Sequence, residues 1–540
     1  MHEFGLRGAY LVGVFKKYMI ALFVVFSYFA GQIAYLTKVK NRMFANWECA
    51  DAVALLLDLF GLAFLGLLLS IGLKAAARKY NLRRTDKVLD HAFLVLLVGG
   101  LLAMFPGYFV HHPSCVAVCW FAAALAIGYS FAMPHTRLPH YASLLCLVLS
   151  PSVLVVAVQI VGWETWGNSP RTEFSFRDSA RAHTPIFIFL FDEWSYPRST
   201  RNGEFRPFFE NARGLANESV FFTNARSPYE NTKLSVPRLL YQTDLDFVWH
   251  DGYTYWVKGG GEVRSTDVPS LYQDAKDRGY NTYLLACSLL PYSRILGDQA
   301  DYLVNYPIYP QGTGVPSRML LTAYRSLQFA TDPLSQKLWR SVHPRLMSRY
   351  AYDTGVRVRR EMFEILDTCP PNTFAFFHIP QPHGPQVFNP DGTYSGPSRE
   401  TVEDYDRGLM HADRYLGQVI ERLKKAGKYD QALIVVTSDH AFQAEAEPIY
   451  LEAPDARRWV PLFVKLPGQS EGHVVDARLC TNQLGPLFQA VLNGEDDTGR
   501  LLDLVQCLVS RKGMSPEMRR ADSRAHHDAG RQDENSVVGP

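Results

Sequence analysis

Carboxylates and imidazoles directly follow several short apolar runs between residues 186 and 440 of this 540-residue chain. The run IFIFLF ends on Asp192 and Glu193, and the run LIVVTS ends on Asp439 and His440. Adjacent carboxylates repel each other, and burying an unpaired charge is costly, so a positive group should lie beside them. Because carboxylates and imidazoles are common ligands of divalent metals, these four residues predict a metal site.

Two further histidines and a threonine join this set of residues. His378 ends a third apolar run, and a proline-rich loop brings His383 five residues later. The stretch YENTKLSVPRLLYQ indicates a loop entering a helix, with Thr232 near the helix N-terminus and Lys233 beside it. Free backbone amides and the helix dipole favour an anion there. A threonine at such a place is commonly an N-cap, but a metal-bound hydroxyl loses its proton more easily and can attack phosphorus.

The elements that must position these residues are short apolar runs that alternate with amphipathic segments. Residues 402–426 show one apolar face at helical spacing, and Gly427 ends that helix. Alternating strands and helices predict an α/β layered domain with a largely parallel central sheet. In such sheets, sites collect at the carboxyl ends of the strands. The predicted buried strands are 186–191, 282–286, 374–378, 433–437 and 462–466.

The first 163 residues differ from the rest of the chain because they are strongly apolar. They contain five stretches long enough to cross a bilayer. Lys and Arg are concentrated in alternate short loops, so the positive-inside rule places the N-terminus in the cytoplasm and everything after residue 162 outside. The predicted spans are 18–36, 52–73, 92–110, 114–133 and 141–162.

These patterns divide the chain into three predicted parts. They are a five-helix transmembrane domain at 1–163, an extracytoplasmic catalytic domain at 164–509 and a disordered tail at 510–540, which is polar and poor in apolar residues. The chain carries 55 Lys and Arg against 53 Asp and Glu, a balance that gives no reason to expect a nucleic-acid partner. Four cysteines in the catalytic domain permit disulfides in three connectivities.

Several motifs resemble those of one enzyme superfamily. The segments FDEW, NTKLSVPRLL, HIPQPHGP, VVTSDHA and WVPLFVKLPG occur in the order found in the alkaline phosphatase and sulfatase superfamily. Five predicted spans ahead of such a domain resemble the bacterial phosphoethanolamine transferases and the lipoteichoic acid synthases. The resemblance implies that Thr232 is the catalytic nucleophile. Together with the reading of the strand ends, it implies a Zn²⁺ or Mn²⁺ site of Asp192, Glu193, Thr232, Asp439 and His440, with His383, His378 and Lys233 on the substrate phosphate.

The function implied is that of a membrane-anchored, metal-dependent phosphotransferase. It would take phosphoethanolamine or phosphoglycerol from a membrane phospholipid donor, hold it on Thr232, and pass it to a glycan or a lipid-linked acceptor. The enzyme would be an integral, multi-pass protein of the cytoplasmic (inner) membrane, with its catalytic domain on the periplasmic side.

Two other functions remain open on the sequence alone. One is a sulfatase-like hydrolase of sulfate or phosphate esters, although Thr232 cannot be converted into the formylglycine that true sulfatases use. The other is an inactive membrane scaffold or sensor. The sequence also departs from the transferases, because Asp192 stands where they have a small residue, Ala441 replaces a glycine, and no histidine lies between His440 and Pro461.

Overall fold

The computed structural model describes part of the chain in two compact units, residues 1–169 with 310–343 and residues 170–309 with 344–540. Most of the first and fifth predicted spans, the third and fourth spans, and the tail after residue 510 lie outside the described residues. The described residues are 14–23, 25–26, 49–80, 175–177, 183–201, 203–250, 253–258, 261–288, 290–306, 343–399, 401–442 and 454–510, with single positions between 141 and 172.

The first unit contains helix α1, Cys49–Lys79, which includes the predicted second span. Among the residues that the structure describes, no helix combines the length and the apolar character needed to cross a membrane. The five-span region therefore stays a prediction from the sequence.

The second unit is built from fifteen described strands and nine described helices. The strands are β1 (Ile186–Asp192), β2 (Thr200–Arg201), β3 (Glu204–Phe205), β4 (Val220–Phe222), β5 (Ala225–Arg226), β6 (Phe247–His250), β7 (Tyr253–Lys258), β8 (Gly261–Arg264), β9 (Asn281–Cys287), β10 (Tyr302–Tyr306), β11 (Thr373–Pro382), β12 (Leu433–Ser438), β13 (Leu462–Lys465), β14 (His473–Val475) and β15 (Leu479–Cys480). The helices are α2 (Tyr196–Ser199), α3 (Glu210–Ala216), α4 (Thr232–Tyr241), α5 (Leu271–Asp277), α6 (Tyr292–Leu296), α7 (His343–Thr368), α8 (Val402–Lys425), α9 (Gly485–Leu492) and α10 (Thr498–Ser510).

Eight of the strands form one sheet in the order β10-β9-β11-β1-β12-β13-β4-β14. All of them run in the same direction except β13, which is antiparallel to both of its neighbours. The mostly parallel central sheet is therefore confirmed, and the five predicted strands are its members β1, β9, β11, β12 and β13. The predicted helix 402–426 is confirmed as α8. The Thr401 side chain caps its N-terminus by accepting a hydrogen bond from the backbone amide of Asp404.

Strand β1 lies between β11 and β12, and its register with them sets the position of the site. Ile186 pairs with Phe374 of β11 and with Leu433 of β12, and all three strands are parallel. Their carboxyl ends therefore meet at one edge of the sheet, where Asp192 pairs with Pro382. This is the edge at which a parallel sheet collects its functional groups.

Alternate side chains of β1 enter two separate hydrophobic cores. Ile186, Ile188 and Leu190 pack in the core that contains residues of α4, α5, α6, α9 and α10. Phe187, Phe189 and Phe191 pack in the core that contains residues of α3, α7 and α8. A strand that is buried on both faces has apolar residues at every position, which explains the unbroken run IFIFLF. The unit thus has a sheet between two helical layers.

Helices α3 and α8 approach closely at Gly417. A substitution there tests how tightly the two helices pack. A Cβ at Gly417 would lie 2.2 Å from Asn211 Oδ1, and the Asn211 amide is held by Asp413 Oδ2 at 2.9 Å. We expect Gly417→Ala to lower the free energy of unfolding by about 1–3 kcal/mol through overpacking. Urea unfolding followed by tryptophan fluorescence measures this.

The matched control for this substitution is Gly214→Ala in the interior of α3. No atom lies within 4 Å of a Cβ at Gly214, so alanine should leave stability unchanged or raise it by up to about 1 kcal/mol through its helix propensity. Equal effects of the two substitutions would contradict the close packing of α3 on α8.

Candidate active site

Asp192, the last residue of β1, lies between two histidines. It is 6% exposed. Its Oδ1 atom is 3.8 Å from His440 Nε2, and its Oδ2 atom is 3.8 Å from His378 Nε2. The Asp192 carboxylate thus faces one imidazole with each of its oxygens.

Asp439, which follows β12, is completely buried beside it. Asp439 Oδ1 accepts the backbone amides of Glu193 at 3.1 Å and His440 at 2.8 Å. The Oδ2 atom is 3.5 Å from His440 Nε2 and has no hydrogen-bond partner. Burial opposes the charge of Asp439, but the neighbouring histidines His440 and His378 outweigh it and hold the pKa of this carboxyl below its usual value. Asp439 is therefore anionic, with one oxygen fixed and the other available.

Three buried polar atoms at this place have no hydrogen-bond partner: Asp192 Oδ1, Asp439 Oδ2 and His378 Nε2. Each of these three residues offers a ligand atom, and those atoms lie within 4.8 Å of one another. Unpaired buried polar groups are costly, and a divalent cation would pair them. Two carboxylates and an imidazole suit Zn²⁺ or Mn²⁺. The residues therefore fit the metal that the sequence predicts.

His440 and Thr232 adjoin this cluster at distances that suit ligands of one ion. His440 Nε2 is 3.2 Å from Thr232 Oγ1 and 3.5 Å from Asp439 Oδ2. Ligand atoms about 2.0–2.1 Å from a tetrahedral Zn²⁺ are about 3.3–3.4 Å apart. The Nδ1–H of His440 donates a hydrogen bond to the carbonyl of Ala441 at 2.8 Å, and Nε2 faces Thr232.

Thr232 is the first residue of α4, as the sequence indicates. Asn231 is the N-cap, because its side chain accepts a hydrogen bond from the backbone amide of Leu234 at 3.0 Å. The Thr232 hydroxyl is therefore free of the capping role and lies against His440. Lys233 follows it in the first turn and is half-buried.

Glu193 has a left-handed backbone with φ 67°, which is uncommon for a residue other than glycine. This conformation turns its amide towards Asp439 Oδ1, and the Tyr405 hydroxyl donates to its carbonyl at 2.5 Å. The carboxylate of Glu193 lies 4.0 Å from His383 Nε2. The strained residue thus joins β1 to the strand end of β12 and to α8.

His383 lies at the open side of the site, with 46% of its side chain exposed. Its amide donates to the carbonyl of Asp192 at 3.1 Å. Burial lowers the pKa of His383, but the charges of Asp192 and Glu193 outweigh it and raise the pKa to about 9. A cationic, accessible histidine beside the metal cluster is suited to contact the oxygens of a bound anion.

All eight predicted site residues belong to the second unit, and seven of them contact one another at the sheet edge. Lys233 is next to Thr232 in the first turn of α4. His378, predicted with the phosphate contacts, lies with the two carboxylates of the metal cluster. Tyr292, whose hydroxyl is 2.6 Å from His378 Nδ1, was not among the predicted site residues. Such a partner, 86 residues away, leaves no local signal in the sequence.

The match to a family model decides the identity of this domain. Residues 185–488, more than half of the chain, match the model named Sulfatase. The chain belongs to the sulfatase family. Enzymes of this superfamily use a divalent metal, and Asp192, His378 and Asp439 mark its candidate position in this member. A search of curated proteins found no match.

Three of the solved structures to which this chain is similar are described differently from one another. A phosphonate monoester hydrolase of Agrobacterium radiobacter is 16% identical, with 58% of this chain and 74% of that chain covered and a TM-score of 0.35. The lipoteichoic acid synthase LtaP of Listeria monocytogenes is 14% identical, with coverages of 61% and 77% and a TM-score of 0.37. Ps i-CgsB in complex with k-i-k-neocarrahexaose is 16% identical, with coverages of 59% and 74% and a TM-score of 0.38.

The orientation of His378 provides a test of the metal cluster. If a cation binds Nε2 of His378, the ring proton must be on Nδ1. The Tyr292 hydroxyl then accepts a hydrogen bond from Nδ1–H. We expect Tyr292→Phe to weaken metal affinity about 10- to 100-fold, as is typical for the loss of such a partner. Competition with a fluorescent chelator measures the affinity. Tyr429→Phe is the matched control because its hydroxyl bonds Glu218 elsewhere, and an equal loss in both variants would contradict the assignment.

Metal binding should also depend on pH. Burial and repulsion from Asp439 raise the pKa of Asp192 to about 8, so a proton competes with the cation for this carboxyl near neutral pH. The apparent metal affinity should therefore rise by up to about tenfold per pH unit between pH 6 and 8, and level off above pH 8. Chelator competition across this range measures the slope, and an affinity that falls with rising pH would rule out the displaced proton.

Proposed function

We propose that this sulfatase-family enzyme is a metal-dependent phosphotransferase. It moves a phospholipid headgroup, phosphoethanolamine or phosphoglycerol, onto an envelope glycan or a lipid-linked acceptor by way of a phosphothreonine. The observation that carries this proposal is the 3.2 Å contact between Thr232 Oγ1 and His440 Nε2 beside the metal cluster. It supports a hydroxyl nucleophile held among residues that would bind a cation, whose charge would make the hydroxyl more acidic.

Thr232 would act in two displacements. Thr232 Oγ1 loses its proton to water and attacks phosphorus of the donor lipid. The bond from phosphorus to the diacylglycerol oxygen breaks, and diacylglycerol takes up a proton as it leaves. A hydroxyl of the acceptor then attacks the phosphothreonine, loses its proton, and returns Thr232 to its starting form.

Other residues of the site would bind and orient the reacting groups. Asp192, Asp439 and His378 would hold the divalent cation, with His440 and Thr232 adjoining. The cation, Zn²⁺ or Mn²⁺, supplies positive charge that makes a hydroxyl more acidic and stabilises charge on phosphate oxygens. His383 lies at the exposed rim of the cluster, which suits contact with those oxygens, and Lys233 follows the nucleophile at the positive end of α4.

The chemistry of threonine favours transfer through the side chain itself. Formylglycine is made from cysteine or serine, and Thr232 carries an additional methyl group on Cβ. Its hydroxyl must therefore form the covalent bond directly. Whether the group passes to water or to an acceptor hydroxyl depends on which one reaches the phosphothreonine, so a hydrolase of phosphate or sulfate esters is the alternative that the experiment must separate.

The proposed location follows from the same sequence features as before. Five predicted spans and the distribution of Lys and Arg place the enzyme in the cytoplasmic membrane, with the catalytic domain on the periplasmic side. An anchored domain of this kind meets phospholipid headgroups without having to extract a lipid from the bilayer.

The test is mass spectrometry of the peptide that contains Thr232. The full-length, metal-loaded protein is incubated with vesicles of mixed phospholipids and no acceptor. We expect an adduct of the mass of the transferred phospho-headgroup on Thr232, together with released diacylglycerol. The adduct should be absent from Thr232→Ala and present in Ser235→Ala, a control one turn further along the same helix.

Other results would point to the alternatives. An unmodified Thr232 with metal bound and lipids intact would contradict the transferase. Turnover of soluble phosphate or sulfate esters by that protein would then identify a hydrolase. Metal binding without turnover of any of these substrates would support the remaining alternative, an inactive scaffold or sensor.

A further inference from the structure

A small cavity adjoins the metal cluster and extends away from it between α7, α8 and the loop after β11. Asp192 and His383 form its wall on the side of the cluster, and Thr354, Gln381 and His411 are among its other lining residues. Its volume is about 50 Å³. That space admits a few water molecules or a group of two or three carbons, but not a sugar ring. The cavity therefore suits the part of a substrate that is bonded directly to the reacting phosphorus.

Two buried side chains of this wall have acceptor atoms without partners. Gln381 is 8% exposed and its Oε1 atom has no hydrogen-bond partner, and His411 is 2% exposed with Nδ1 unpaired. A Cβ at Gly355 would lie 2.8 Å from Gln381 Nε2, so the glycine leaves the space that the glutamine occupies. Because an unpaired buried acceptor is costly, a ligand that donates hydrogen bonds would be stabilised here.

The His411 side chain is neutral at physiological pH. Burial, assisted by the charge of Arg359, lowers the pKa of His411 to about 4. One ring nitrogen bonds the carbonyl of Pro390, and the ring stacks on Phe388 with centroids 4.5 Å apart. His411 is thus a fixed, uncharged group whose Nδ1 acts as an acceptor.

The charges around the cavity distinguish between two kinds of headgroup. Among the described residues of the wall, the one carboxylate is that of Asp192, which belongs to the metal cluster. An ammonium placed here would lose its hydration without a counter-charge of its own, and Arg359 would oppose it. Hydroxyl groups need only the neutral acceptors that the wall provides. The wall therefore favours hydroxyls over an ammonium.

We infer that this cavity binds an uncharged, hydroxylated group of two or three carbons on the substrate phosphate, and that Gln381, Thr354 and His411 determine this specificity. This inference rests on the proposed function and narrows it, because it selects glycerol over ethanolamine as the headgroup. The headgroup occupies the cavity while the phosphate lies at the metal cluster.

The first experiment measures binding without catalysis. The full-length, metal-loaded protein is titrated calorimetrically with glycerol 3-phosphate, with O-phosphoethanolamine and with inorganic phosphate. We expect glycerol 3-phosphate to bind about tenfold more tightly than O-phosphoethanolamine. Equal affinities, or tighter binding of the ammonium compound, would overturn the inference.

Two variants identify the residues responsible. Thr354→Val removes a hydroxyl at constant shape. It should lower the affinity for glycerol 3-phosphate about fivefold and leave the affinity for inorganic phosphate unchanged. Thr368→Val, near the end of the same helix and exposed, is the control and should change neither affinity. Gln381→Glu supplies a counter-charge and should shift the preference at least tenfold towards O-phosphoethanolamine. A preference that neither variant changes would show that other residues determine it.

The second experiment separates this inference from the proposed transfer. Vesicles of phosphatidylglycerol alone and of phosphatidylethanolamine alone are compared for the adduct they leave on Thr232. Faster modification by phosphatidylethanolamine would support transfer and overturn the glycerol preference. If neither lipid modifies Thr232 while glycerol 3-phosphate still binds more tightly and responds to both variants, the transfer fails and the specificity of the cavity is upheld.

Discussion

The buried negative charge at the end of β1 is the constraint on which the rest of this site depends. Asp192 and Asp439 are both almost inaccessible to water, and they lie on neighbouring strands whose ends meet. The protein offsets part of this charge with backbone amides and imidazoles, yet one oxygen of each carboxylate stays unpaired. Such an arrangement is favourable only if a cation completes it, so the fold and the metal site are energetically linked.

The parallel sheet is what brings these groups together. Because β1 has β11 on one side and β12 on the other, a single strand end meets both His378 and Asp439. Helix α4 adds Thr232 with its hydroxyl directed at His440, since Asn231 performs the capping. The chemistry thus comes from four segments that are far apart in the chain, and none of them forms the site alone.

Much of this arrangement could be predicted from the sequence because buried parallel strands have a simple signature. An apolar run that ends on a carboxylate or histidine marks both the strand and its functional end, which was enough to find Asp192, Asp439 and His440. Strands β4 and β14 were missed because each has three residues, too few for a pattern. Strand β10 was missed because it lies at the edge of the sheet and only two of its five residues are buried. Tyr292 and Tyr405 were missed because their roles depend on tertiary contacts with residues 86 and 212 positions away. His378 was found, but its place among the carboxylates depends on strand order, which local patterns do not specify.

The same separation along the chain has a consequence for how the enzyme acquires its metal. The hydrogen bond from Glu193 to Asp439 spans 246 positions, and the contact between Thr232 and His440 spans 208. Contacts of such sequence separation form only when most of the domain has been synthesised and folded. A growing chain therefore offers metal ions no more than scattered carboxylates and imidazoles with weak affinity. The choice between competing ions is made in the compartment where folding is completed, and it reflects the ions available there.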